Sequence, residues 1–121
     1  MSQYDYGPLL ENLAGSKLGL TNETAAQDSI EEMLKRMGVG YEREASLSSK
    51  DRIDFLVEGK IGIEVKVSGS LTEVTRQVAR YLDHDEVEGV VLVSTRPNHA
   101  QVPRTLRGKT VMVYVPCFQG L

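Results

Sequence analysis

The stretch Arg52-Ile-Asp-Phe-Leu-Val-Glu-Gly-Lys-Ile-Gly-Ile-Glu-Val-Lys-Val67 holds two strand-like runs separated by a turn signal at Glu58-Gly59-Lys60. In both runs the odd positions are apolar: Ile53, Phe55 and Val57 in the first, Ile61, Ile63, Val65 and Val67 in the second. Successive side chains of a strand point to opposite faces, so this alternation predicts one buried face built from both sets. Asp54, Glu64 and Lys66 then share the opposite face. Register follows from the same pattern, because a one-residue slip would turn one apolar set outward. A two-residue turn at Gly59-Lys60 would pair Glu58 with Ile61, whereas a three-residue loop of Glu58, Gly59 and Lys60 pairs Val57 with Ile61 and Asp54 with Glu64. The longer loop is therefore expected. Two carboxylates placed side by side across strands repel, and a divalent cation would remove that penalty.

This arrangement resembles the PD-(D/E)xK nuclease superfamily, in which an acid on one strand and an acid-x-Lys triplet on the next hold magnesium and a water. Asp54 matches the first acid and Glu64-Val65-Lys66 the triplet; Ile53 stands where the motif has its proline. The order of elements agrees. Caps and periodicity predict a helix from about Asn22 to Met37, strands near Tyr41–Leu47, Arg52–Val57 and Ile61–Val67, a helix near Leu71–Asp83, and strands near Gly89–Ser94 and Thr110–Val115. The expected fold is α/β, a restriction-endonuclease-like core in the order α-β-β-β-α-β(-β), with a central mixed sheet flanked by helices. Residues 21–121 would form this single domain, similar to small stand-alone Holliday-junction resolvases and phage-type nucleases. Residues 1–20 are read as an N-terminal extension in which Pro8 and Gly15 bracket a short helix. Its Tyr4, Tyr6, Leu9, Leu10 and Leu13 would cover either the core or a neighbouring subunit.

Glu23 falls on the apolar stripe of the first long helix, among Ala26, Ile30, Met33, Leu34 and Met37. A carboxylate there serves the helix dipole, with Thr21 or Asn22 as cap, or reaches the metal centre as the first-helix Glu does in resolvase-like proteins; Glu31 is the weaker substitute. On the second helix Gln77 flanks the stripe of Leu71, Val74, Val78 and Leu82, and a Gln near this point contacts the active site in several nuclease branches. Arg80 reads as a solvated charge. His84 and His99 lack zinc spacing and read as surface or loop residues.

With 121 residues and 40% hydrophobic content, the chain has room for one core. No apolar run is long enough for a membrane span and no signal pattern precedes the first acid, so a cytoplasmic protein without membrane contact is expected. The single Cys117 has no partner for an internal disulfide and reads as a small buried or semi-buried residue. The net charge of −3 is unevenly spread: from Gly89 onward there is no acid, while Arg96, Arg104, Arg107 and Lys109 contribute +4. Such asymmetry suggests a phosphate-binding surface, with Arg52 and Arg76 as further candidates. If the loop from Arg96 to Lys109 is merely solvated, the substrate lies across Lys50, Arg52 and the Arg76–Arg80 side of the second helix.

The resemblance implies Mg2+-dependent phosphodiester hydrolysis, with Mn2+ as a substitute ion. Asp54, Glu64 and the Val65 carbonyl would hold the ion, Glu23 would complete the shell or orient the water, and Lys66 would position that water or offset charge on the phosphate. The substrate class implied is DNA, cut endonucleolytically at branched or structured sites, with a homodimer as the form used by junction-cutting relatives. Two other readings stand beside it. One is a nucleic-acid-binding module that keeps the nuclease fold without turnover. The other is an exposed cross-strand ladder of Asp54, Glu64, Lys66 and Arg52 with no further role.

Overall fold

The computed structural model describes residues 3–116; Cys117 lies outside the described residues. Six strands form one mixed sheet in the order β1-β2-β3-β4-β6-β5. They are β1 (Tyr41–Ser46), β2 (Arg52–Val57), β3 (Ile61–Lys66), β4 (Gly89–Ser94), β5 (Thr105–Leu106) and β6 (Lys109–Tyr114). Three helices accompany them: α1 (Gly7–Gly15), α2 (Glu23–Met37) and α3 (Leu71–Leu82). β1 to β3 are antiparallel neighbours, β3, β4 and β6 are parallel, and β5 returns antiparallel on β6.

Helix limits follow from local chemistry. Asn22 accepts the Ala25 amide and starts α2, and Gly38 closes it with φ 74°. Ser70 and Glu73 form a reciprocal capping box at the start of α3. α1 and α2 cover one sheet face, where Leu9, Leu13, Ile30, Met33 and Leu34 pack on Phe55, Val57, Ile61, Ile63, Val65, Val91 and Val93. α3 covers the other through Val74, Val78, Tyr81 and Leu82 against Val90, Leu92 and Val111. Residues 7–15 are thus an integral layer of the core rather than a separable lead, with Leu9 and Leu13 fully buried. Among the described residues no helix is long and apolar enough to cross a membrane.

The three-residue loop at 58–60 is present, and Val57 pairs with Ile61 as the parity argument required. The single apolar face is not. Phe55 and Val57 lie under α2, but Ile53 belongs to the α3 side, together with Ala45. The reason is a roll of the β1–β2 hairpin at Glu44 and Asp54. Glu44 takes φ 54°, a left-handed conformation costly for a residue with a Cβ, and the ladder pairs Arg43 with Phe55 and Ala45 with Ile53 but omits the residues between. β2–β3 pairing likewise ends at Phe55 and Ile63. Beyond the roll, Ile53 swings over Gly62, whose missing side chain leaves room for the Ile53 Cδ1. The face carrying Glu64 is therefore covered by α3 and not open to water.

A methyl group at Gly62 should then collide with Ile53. Gly62→Ala should destabilise by about 1–3 kcal/mol through overpacking, and Ile53→Val should recover part of that loss instead of adding to it. A thermal-denaturation double-mutant cycle checks this coupling; strictly additive losses would place Ile53 elsewhere.

Candidate active site

The site forms where β2 leaves β3. With the ladder ended at Phe55, the next backbone groups are satisfied by side chains: the Asp54 amide donates to Glu64 Oε1 at 3.2 Å, and the Val65 amide donates to Asp54 Oδ2 at 2.8 Å. Each carboxylate is thus fixed by the other strand's main chain. Sharing that position between two acids brings the like charges together. Lys66 Nζ lies 3.3 Å from Glu64 Oε2, so the Asp54, Glu64 and Lys66 set inferred from the sequence is assembled at one point.

Burial is what makes this pair unusual. Glu64 is 4% exposed. Burial, followed by the charge of Asp54, pushes the Glu64 carboxyl up to about 7 against the pull of Lys66. Burial likewise raises Asp54 to about 6, helped by Glu44 and Glu23 and opposed by the Val65 hydrogen bond and Lys66. Neither group ionises readily beside the other, and the two titrate as a unit.

A tyrosine that sequence reading missed holds the pair from the α3 side. The Tyr81 hydroxyl, buried, lies 3.3 Å from Glu64 Oε2 and 3.1 Å from the Arg52 carbonyl, and accepts from Gln77 Nε2 at 2.8 Å. Gln77 therefore reaches the site through Tyr81. The one-turn spacing of Gln77 and Tyr81 was the available signal, hidden because Tyr81 also reads as an ordinary core residue. Burial and the two nearby carboxylates raise the Tyr81 pKa, which keeps it a proton donor.

Glu23 accepts from the Val67 amide at 3.4 Å, so it sits at the end of β3 while Asn22 does the capping. It does not close a three-carboxylate set: among the described residues no three His, Cys, Asp or Glu side chains gather to hold one ion. Val65 joins the site by its amide. The oxygens that could hold an ion here are those of Asp54 and Glu64, hard donors of the kind that suits a divalent cation. Beside them a cleft of about 420 Å³ is lined by Glu23, Lys66, Ser68, Gly69, Glu73, Val74, Arg76, Gln77 and Arg80.

The cleft wall is held by His99, which is not a surface residue as its sequence suggested. It is fully buried, with Nδ1 2.6 Å from Ser94 Oγ and Nε2 2.8 Å from the Gly69 carbonyl. His84 is half-buried against Asp51 at 2.9 Å, a bond that holds the Asp51 carboxyl below its usual range. The acid-free C-terminal segment divides in two. Lys109 donates to the carbonyls of Leu82, His84 and Val87, satisfying the end of α3, and Arg104 donates to those of Ala100 and Val102. The Lys109 protons are thus committed to the backbone, which corrects the expectation that this residue faces phosphate, whereas exposed Arg104 commits only its Nη1. Arg107 pairs with Asp83 and Arg52 with Glu44, both at exposed positions, while Arg76 and Arg96 are exposed.

No known protein family, curated protein or solved structure matches the chain.

The raised carboxyls fix a pH dependence. The folded protein keeps protons that the unfolded chain releases between about pH 4 and 7, so in the absence of metal the contribution of this pair to stability falls as pH rises through that window. Asp54→Asn, which preserves the acceptor for Val65, should raise the metal-free melting temperature at pH 7.5 by about 3 °C or more and change it little at pH 4.5. Equal shifts at both pH values would show that the pair is not strained by charge.

Proposed function

We propose that the chain is a magnesium-dependent nuclease that hydrolyses phosphodiester bonds, with Asp54, Glu64 and Lys66 as its reactive groups. The observation that carries this reading is a carboxylate pair, Glu64 buried and Asp54 half-buried, beside a lysine at the edge of an open cleft. An exposed salt-bridge ladder would be solvated and would need no burial. The element order, with an antiparallel β1–β2–β3 unit continued by parallel β4 and β6, supports a restriction-endonuclease-like fold.

A bound divalent ion would supply positive charge to the scissile phosphate and lower the pKa of a water. The chain's own part is to hold the carboxylates still. Asp54 is tied to the Val65 amide and Glu64 to the Asp54 amide and the Tyr81 hydroxyl, so the acids are aimed before substrate arrives. Lys66, only 19% exposed along its side chain, would hold a proton near the reacting oxygens and offset charge developing on the phosphate. DNA is the proposed substrate, cut internally at branched or structured sites.

A binding module without turnover is favoured by one observation, the lack of a third ligating side chain among the described residues. It leaves the buried acid pair without a purpose.

Cleavage assays over linear, nicked, flapped and four-way-junction DNA and over RNA should reveal magnesium-dependent hydrolysis, reduced about a hundredfold or more in kcat by Lys66→Ala. Substrate affinity of that variant in calcium should stay within about threefold of wild type. Loss of affinity with normal turnover at saturation would make Lys66 a phosphate anchor. Undiminished cleavage by both Asp54→Asn and Glu64→Gln would remove the proposed chemistry.

A further inference from the structure

The outer face of α3 carries a second cleft that the carboxylate site does not use. Thr75, Arg76, Ala79, Arg80, Leu106 and Arg107 enclose about 410 Å³ between α3 and β5. Arg76 and Arg80 also line the cleft beside Lys66, so the two spaces share a wall. Every charged residue of the outer cleft is an arginine, whereas the inner one contains Glu23 and Glu73.

The way these arginines are held leaves them able to bind. Arg80 uses its Nε toward Asp51 at 3.4 Å and Arg107 its Nε toward Asp83 at 2.8 Å. Among the described residues neither forms a hydrogen bond through its Nη atoms, and Arg76 forms none through its guanidinium. Each ion pair thus orients a guanidinium while leaving most of its donors for a ligand. Lys109 differs, with its ammonium spent on three backbone carbonyls, and Arg104 does not line the cleft.

Cations alternate here with apolar surface from Ala79 and Leu106. That combination fits a nucleotide chain, phosphates on the guanidiniums and a base against the apolar wall and an arginine plane. Arg76 and Arg80 stand one helical turn apart, about 6 Å along the axis, so they can meet successive phosphates of one strand. A stiff duplex cannot follow a strand into so small a cleft.

The geometry points to a single-strand track: one strand of the nucleic acid leaves the reactive carboxylates across α3, with phosphates on Arg76 and Arg80 and a base between Leu106 and Arg107. The substrate class is then nucleic acid with a single-stranded arm beside the scissile bond. This rests on the nuclease reading for the origin of the track, but the cleft itself binds without metal.

Fluorescence anisotropy in EDTA tests it, using labelled dT15, rU15 and a blunt DNA duplex. Arg76→Ala/Arg107→Ala is compared with Lys17→Ala/Lys35→Ala, which removes the same charge at exposed positions outside the cleft. Wild type should bind the single strands more tightly than the duplex. The cleft variant should lose about tenfold or more in single-strand affinity and about 0.7 in the slope of log affinity against log salt, for the one phosphate contact at Arg76. The control should lose less than about threefold. Equal losses in the two variants, or a duplex bound as tightly as the single strands, would overturn the track. Cleavage with binding indifferent to both arginines would discard the track and leave the nuclease reading intact. Arginine-dependent strand binding without any cleavage would do the reverse.

Discussion

Two carboxylates that would each prefer water are held together inside the protein, and the rest of the structure is arranged around that conflict. Asp54 and Glu64 occupy the gap where β2 parts from β3, each accepting a hydrogen bond from a main-chain amide that the ladder would otherwise have used. The backbone thereby fixes both side chains without extra residues. Electrostatics pull the other way, since burial raises both pKa values, helped at Glu64 by the charge of Asp54 and at Asp54 by those of Glu44 and Glu23. A structure that retains such a pair has an unmet demand for positive charge, met only in part by Lys66.

The surroundings keep that demand from relaxing. Glu44 adopts a left-handed backbone and lets the β1–β2 hairpin roll, which turns Ile53 under α3 and leaves Asp54 at the point of divergence. Tyr81 ties Glu64 to α3, and His99 ties the Gly69 turn at the start of α3 to Ser94 on β4. The far end of the helix is held by Lys109. α3 is therefore positioned at both ends while its exposed face carries Arg76 and Arg80. One helix connects the carboxylate site with the basic cleft.

Local chemistry made much of this readable from the residues. Apolar alternation placed β2 and β3, the parity of Val57 and Ile61 chose the loop, and the limits read for the two long helices lie within a residue or so of those found. The Asp54, Glu64 and Lys66 cluster followed from strand periodicity alone. What failed depended on tertiary contacts that periodicity does not encode. Ile53 obeys the pattern of its neighbours yet crosses to the other core, because a positive φ on the adjacent strand reverses the phase. His99 looked like a loop residue since its two partners, Ser94 and Gly69, are brought to it by separate elements. The basic C-terminal segment did not reveal that Lys109 spends its ammonium on carbonyls at the end of α3. A sequence shows that a cation is present; only the fold shows which acceptor reaches it first.

On the reading proposed above, Asp54 and Glu64 together bind a divalent cation. Calorimetric titration of Mn2+ into the protein at pH 7.5 measures this without requiring a substrate. One ion should bind per chain, with affinity lost in both Asp54→Asn and Glu64→Gln while the fold, followed by circular dichroism, is kept. No binding by the wild-type chain, or binding equally strong in both variants, would contradict it.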